Sequence, residues 1–188
     1  MKNESYLFDT NVVPYNEIEA LDLRRKGESV LNPTCCLGIL CTTKKGRYNK
    51  SCNLFQQSGE KYKNCQQWRK AADCYEVCGD IKEQLQEDST QFYKESVSCY
   101  QKANSEVNAK KIFFKMIDHL EKKGQYYEAG KNCEDMGMKY ENENNYNEAI
   151  YCYQEAIKLY DKDTQHEDIK NNLQTKLSEL QLKYGNQK

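Results

Sequence analysis

Four stretches of the chain open alike: Tyr48-NKSCNLF, Trp68-RKAADCY, Tyr126-YEAGKNC and Tyr146-NEAIYCY. In the last three, an aromatic is followed at +3 and +4 by small or aliphatic residues and at +7 by Tyr75, Cys133 or Tyr153. Positions 0, +3, +4 and +7 lie on one face of an α-helix. Small residues at +3 and +4 let a neighbouring helix come close. The first stretch is looser, with Lys50, Ser51 and Cys52 where the others carry alanines.

These openings recur about every 20 residues once two further units, starting near Asp88 and Val107, are placed in the long interval between Trp68 and Tyr126. One helix per unit makes a helix pair of ~40 residues, longer than the tetratricopeptide (TPR) unit but built in the same style. The pattern breaks at Lys45-Gly46, Asn64-Cys65-Gln66, Gly124-Gln125 and Asn142 to Asn145, each just before an aromatic, which reads as turns. The spacing predicts about eight helices, near 15–30, 47–63, 66–84, 88–103, 106–122, 125–142, 145–161 and 165–184. The last carries Ile169, Leu173, Leu177, Leu180 and Tyr184 at helical spacing and stops at Gly185. The expected fold is all-α: a TPR-like right-handed stack of antiparallel helices, an α-solenoid. Residues 1–14 read as a flexible N-terminus and 15–188 as the repeat domain, interrupted by an apolar loop at 33–45. The run ENENNYNE, Glu141 to Glu148, reads as a solvated turn between helices.

Composition agrees with such a stack. Hydrophobic residues make up 38% and mean hydropathy is −1.02, enough for narrow helix stripes but not for a thick core. Two prolines and nine glycines leave long helices uninterrupted. Basic and acidic residues number 28 and 29, a balance that argues against a general nucleic-acid binder. No apolar run reaches the length of a membrane-spanning helix, and MKNESYLFDTNVVPYNE lacks the apolar core of a signal peptide, so a cytosolic location is expected.

Catalytic patterns are missing. There is no glycine-rich phosphate loop, no G-x-S-x-G and no H-E-x-x-H. Cys74 and Cys133 fall on core stripes away from any predicted histidine. His119, near the end of the fifth helix, reads as a surface or capping residue. The ten cysteines include no C-x-x-C pair, and His119 and His166 are the only histidines. Convergent zinc ligands are therefore not expected, and most cysteines read as small core hydrophobes. No cofactor, metal or small-molecule substrate is expected, and the chain reads as a binding scaffold rather than an enzyme.

The run from Gly46 to Asp163 resembles the SNAP family, the soluble NSF attachment proteins that couple SNARE complexes to the hexameric ATPase NSF. The resemblance rests on the order of CNLFQQSGEKYKNCQQWRKAADCYE and GQYYEAGKNCEDMGMKYENENNYNEAIYCYQEAIKLY. Within these lie a helix start at Trp68, typically a buried tryptophan, and the frame Glu148-Ala149-Ile150-x-x-Tyr153-x-x-Ala156. The segment Asn16 to Asn32 is similar to the family's opening helix. The alpha and gamma types both remain open.

In the family a short apolar loop follows the first helix and dips into the bilayer. By position, Cys35, Cys36, Leu37, Gly38, Ile39, Leu40 and Cys41 are that loop, with cysteines where the family carries phenylalanines. Seven apolar residues can insert shallowly but cannot span. Lys44, Lys45 and Arg47 follow directly and favour anionic lipid, by about 1 kcal/mol each near the surface. Membrane-proximal cysteines are the usual S-acylation sites, so acylation of Cys35, Cys36 and Cys41 is expected. A loop folded back on the first helices is the alternative.

The resemblance also implies a basic face that grips acidic SNARE bundles. Lys63, Lys102, Lys131 and Lys170 match it, while Gln66 and Gln125 replace two further basic positions, which implies a weaker or retuned clamp. SNAP proteins continue into a C-terminal bundle that engages NSF, whereas this sequence stops at Lys188, so NSF stimulation is expected to be lacking. The implied role is a SNARE-binding adaptor, cytoplasmic and peripheral on membranes, with SNARE bundles and NSF as partners. The alternative is a helical-repeat subunit of an assembly unrelated to SNAREs.

Overall fold

The structure, a computed structural model, describes residues 15–33, 43–163 and 165–184. Among these residues the chain is all-helical, of the TPR-like α-solenoid type. The helices are α1 (Tyr15–Leu31), α2 (Lys44–Asn64), α3 (Trp68–Gln84), α4 (Thr90–Lys102), α5 (Glu106–Lys122), α6 (Tyr126–Asn142), α7 (Tyr146–Asp161) and α8 (Glu167–Tyr184). Each expected helix is present, with ends displaced by at most about three residues.

The largest displacement has a local cause. Lys45-Gly46 was expected to be a turn, but it lies in the first turn of α2. Thr43 caps that helix, its Oγ1 accepting from the Gly46 amide at 3.1 Å. Threonine is a preferred residue at this position because its side chain satisfies an amide that the helix leaves unpaired.

Five helices in succession end in one way. Gln66, Gln86, Asn104, Gly124 and Asn144 each adopt positive φ, between 52° and 72°. The amide of each bonds back three residues, and the next amide bonds back five, as in Gln67 N to Tyr62 O and Asn145 N to Tyr140 O. This is the Schellman closure, which satisfies the last carbonyls of a helix. In four of the five turns the residue after the left-handed position already accepts the first bond of the next helix, as Gln67 does from Ala71. The α3–α4 link is longer, with Glu87 and Asp88 inserted before Ser89.

The chain divides into two compact units, Met1–Phe113 and Phe114–Lys188. In the first, α1 to α4 pack as successive antiparallel neighbours. Small residues line the contacts and hydroxyls stitch them. Ser51 Oγ donates to the Gly27 carbonyl at 2.8 Å, Ser58 Oγ to that of Ala20 at 2.7 Å, and Ser96 Oγ to that of Ala72 at 3.0 Å. All these residues are buried, so each bond also settles a carbonyl lone pair away from water.

The expected stripes form the core. Ala71, Ala72 and Tyr75 in α3, Ala129 and Cys133 in α6, and Ala149 and Tyr153 in α7 are all buried. Trp68, Tyr126 and Tyr146 are the first residues of their helices. Trp68 is half-buried rather than buried, because it sits at the helix end with Lys102 across its ring.

In the second unit α6, α7 and α8 run antiparallel in turn. Tyr153 and Tyr160 of α7 press against Gly137 and Gly130 of α6. Tyr146 of α7 stacks on Tyr184 of α8, ring centroids 3.6 Å apart and 5° from parallel.

Candidate partner-binding surfaces

Four tyrosines carry their hydroxyls past the core to carboxylates on the preceding helix. Tyr93 donates towards Asp80 and Glu83, both at 2.8 Å, and Tyr100 towards Asp73 at 2.7 Å and Glu76 at 3.0 Å. Tyr153 reaches Glu141 at 2.7 Å and Tyr160 reaches Glu134 at 2.9 Å. Each of Glu76, Glu83, Glu134 and Glu141 lies four residues after a small residue, Ala72, Gly79, Gly130 or Gly137. The small residue admits the ring and the glutamate receives the hydroxyl. Burial, reinforced by these carboxylates, pushes all four tyrosines well above the ordinary phenol range.

This motif alternates aromatic bulk with half-buried negative charge along α3 and α6. It was not read from the sequence. The small-x-x-x-Glu spacing is visible there, but its tyrosine partner lies between 10 and 26 residues away.

Of the four lysines expected to face a partner, Lys63, Lys102 and Lys170 sit in terminal turns and Lys131 in the second turn of α6, and each already has a partner within its own unit. Lys63, in the last turn of α2, bonds Glu95 at 2.8 Å and lies 5.5 Å from the centroid of the Tyr75 ring. Lys102, at the end of α4, lies 4.7 Å over Trp68. Because successive helices alternate direction, the ends of α2 and α4 share one edge of the first unit, and Trp68 stands at that edge. In the second unit Lys131 of α6 pairs with Glu134 and Asp135, each at 3.3 Å. Lys170 of α8 pairs with Glu167 at 2.8 Å and Asp161 at 3.0 Å.

The Glu95 hydrogen bond raises Lys63, and those from Glu167 and Asp161 raise Lys170. For Lys131 partial burial works downward and is outweighed by Glu134 and Asp135. Lys63, Lys131 and Lys170 therefore stay charged, and none of the four lysines is a bare cation. Exposed ion pairs of this kind contribute only about 0–1 kcal/mol each, so an acidic partner could exchange them at small cost.

Of the two glutamines at positions expected to be basic, Gln66 is the left-handed turn residue after α2. Gln125 caps α6 and approaches Glu128 at 3.4 Å.

The apolar stretch Cys35, Cys36, Leu37, Gly38, Ile39, Leu40 and Cys41 lies outside the described residues. On its C-terminal flank, Lys45 pairs with Glu87 at 2.9 Å and Lys44 lies 5.3 Å from the Tyr48 ring centroid. No helix among the described residues is long and apolar enough to cross a membrane.

Two candidate chemistries resolve differently. Cys74 and Cys133 are buried, and burial pushes the Cys74 thiol up to about 11 and Cys133 higher still, so neither is a thiolate near neutrality. His119, expected at the surface, is buried at 6% exposure. Ile112, Phe113, Met116, Ile117 and Leu120 are buried around most of α5, which leaves this position inside.

An open groove of about 510 Å³ in the second unit is lined by Glu141, Asn144, Tyr146, Lys176, Lys183 and Tyr184 among others. Its walls carry both signs of charge, and Lys176 is held by Glu141 and by the Tyr153 hydroxyl, each at 2.8 Å.

Helices, turns and stripes of this kind occur in many repeat proteins. What decides between them is a match over residues 18–187 to the family described as soluble NSF attachment protein, SNAP. The chain belongs to the SNAP family. The match begins within α1 and runs past the end of α8, so it takes in both units and the stretch between α1 and α2. SNAP membership assigns the fold and an adaptor role linked to SNAREs at the level of the family. No curated protein is similar enough to serve as a named relative.

Proposed function

We propose that this chain is an adaptor that binds SNARE bundles at membranes. The observation that carries the reading is the SNAP family match over residues 18–187. The proposed grip is Lys63 and Lys102 on one edge of the first unit, and Lys131 of α6 and Lys170 of α8 in the second. A bundle that is acidic outside would exchange with Glu95, Glu134, Asp135, Asp161 and Glu167 for these cations. Because the lysines start from internal pairs, net gain per contact is small and binding is reversible and salt-sensitive.

The proposed membrane contact is the stretch from Cys35 to Cys41, helped by S-acylation of Cys35, Cys36 and Cys41. Membrane attachment is then peripheral. Engagement of NSF is a further part of this proposal.

Capture from a cell lysate tests the partner. Wild-type protein is expected to recover SNAREs, and a variant with Lys63, Lys102, Lys131 and Lys170 changed to glutamate is expected to lose them. Recovery of one fixed, SNARE-free complex by both proteins would replace this reading with that of a structural subunit. The internal pairing of all four lysines is the observation favouring that second reading. Acylation is tested separately by hydroxylamine-sensitive lipid labelling, where equal label in wild type and in a Cys35/Cys36/Cys41 triple serine variant would reject it.

A further inference from the structure

α1 packs on α2 through one side only. Ala20 and Gly27 are buried there, and their carbonyls accept from Ser58 and Ser51. The opposite side carries Tyr15, Ile18 and Leu21, which are 80%, 57% and 40% exposed. Spaced three residues apart, they make one apolar stripe along the outside of the helix. Arg25 lies one turn further on and is exposed. Its neighbours Arg24 and Lys26 pair with Glu28 and Asp22, but Arg25 has no ion pair among the described residues.

Terminal helices of a solenoid ordinarily turn a polar face to water. α8 does so with Asn171, Gln174, Thr175 and Ser178, Leu182 apart. α1 does not. Residues 1–14 lie outside the described residues and before the family match, which starts at residue 18. Their sequence, MKNESYLFDTNVVP, carries two apolar groups, Tyr6-Leu7-Phe8 and Val12-Val13.

We propose that residues 1–14 run back along the outer side of α1 and cap it, instead of remaining free. Pro14 stands directly before α1 and favours an extended Val13, so the arm leaves the helix in a strand-like form. An extended arm advances about 3.3 Å per residue, so Val12 to Phe8 spans about 13 Å. The stripe from Tyr15 to Leu21 rises about 9 Å, at about 1.5 Å per residue. Val12 and Phe8 share one side of an extended arm and together cover the length of the stripe. Glu4 and Asp9 bracket the aromatic group and bring opposite charge to Arg25.

Size decides between this arm and a second copy of the chain. Three side chains offer far less than the roughly 800 Å² that each partner of a stable pair contributes. A tethered arm needs less, because its effective concentration is on the order of millimolar.

The test uses the full-length chain. Leu21→p-benzoylphenylalanine is irradiated, and the linked peptides of the monomer band are mapped. A link from position 21 to residues 1–14 is expected. A link to a second copy, or links that leave out residues 1–14, would overturn the proposal. Hydrogen exchange reads the same contact without a probe. In the double variant Phe8→Asp, Val12→Asp, exchange of the α1 amides is expected to quicken about tenfold, because the stripe loses its apolar cover. Asn3→Asp adds charge but removes no apolar group, and its α1 exchange is expected to match wild type. Unchanged exchange in the double variant, or equal quickening in Asn3→Asp, would also overturn the proposal.

Discussion

The ring of Tyr93 occupies the space that a side chain on Gly79 would need. A Cβ built on Gly79 would lie 2.4 Å from Cε1 of that ring. Tyr93 is fully buried, and its hydroxyl is fixed by Asp80 and Glu83, so the ring has no room to swing aside. Gly79→Ala gains up to about 1 kcal/mol of helix propensity, but an overlap of this kind costs more. The expected net loss is about 2 kcal/mol, read as a fall of roughly 4–8 °C in thermal midpoint. Gly59→Ala is the control. Its Cβ would meet Tyr75 at 3.1 Å, and its stability is expected to stay within about 1 kcal/mol of wild type. A stabilised Gly79→Ala variant would refute the packing argument.

Tyr93→Phe keeps the ring and removes the donor shared by two half-buried carboxylates. The expected loss is about 1–2 kcal/mol in urea denaturation. Tyr75→Phe is expected to cost less, since the Tyr75 hydroxyl makes no hydrogen bond among the described residues. Equal losses for the two variants would show that the carboxylate bonds contribute nothing.

Burial raises Tyr75, Tyr93, Tyr100, Tyr153 and Tyr160 far above the unfolded phenol value of 10.0. Groups raised on folding contribute stability that is fully present below the unfolded pKa and is lost as pH rises past it. Alkaline unfolding is therefore expected to set in above about pH 10. Tyrosinate absorbance from these five buried tyrosines should rise cooperatively with loss of helical circular dichroism. A single smooth titration with helices intact would contradict this.

Lys82 and Lys45 hold the Glu87 carboxyl down to about 2. The lowered group contributes above its unfolded value of 4.5, and the contribution fades as pH falls towards about 2. Side-chain NMR should follow that titration, and Lys82→Met should move it upward. Glu87→Gln also frees Lys45 beside the stretch proposed to meet lipid. Binding to anionic vesicles is expected to strengthen about fivefold, on the order of 1 kcal/mol for one lysine. Unchanged vesicle binding would remove Lys45 from that surface.

Trp68 is the only tryptophan, and Lys102 covers its ring. A SNARE bundle that recruits Lys102 uncovers the indole. Addition of an assembled bundle should change tryptophan emission in wild type but not in Lys102→Met. An identical change in both would exclude Lys102 from the contact.

Helix positions were legible because each helix repeats its apolar choice at one spacing, and Trp68, Tyr126 and Tyr146 begin helices as read. Stripe residues were legible for the same reason: Ala71 and Ala149 are small because a neighbouring helix approaches there. Partners were not legible. Lys63 looks like a free surface charge until α4 folds back and brings Glu95, 32 residues later, against it. The vacancy at Gly79 has meaning only once Tyr93 fills it. His119 misled because Asp118 and Glu121 beside it are polar, although Ile117 and Leu120 of the same helix are buried with it.

The five closures after α2 to α6 place glutamine, glutamine, asparagine, glycine and asparagine at one left-handed position. What is inherited from turn to turn is the sign of a dihedral angle, not a letter. Duplicated units can then diverge in spelling almost without limit while the hinge of every fold-back stays fixed. The same rule sets where length can vary. A residue added to any of the four tight turns would rotate the following helix by about 100° and swing its apolar stripe out of the seam. The α3–α4 link alone has already absorbed two extra residues, and it is there that this architecture has slack for new sequence.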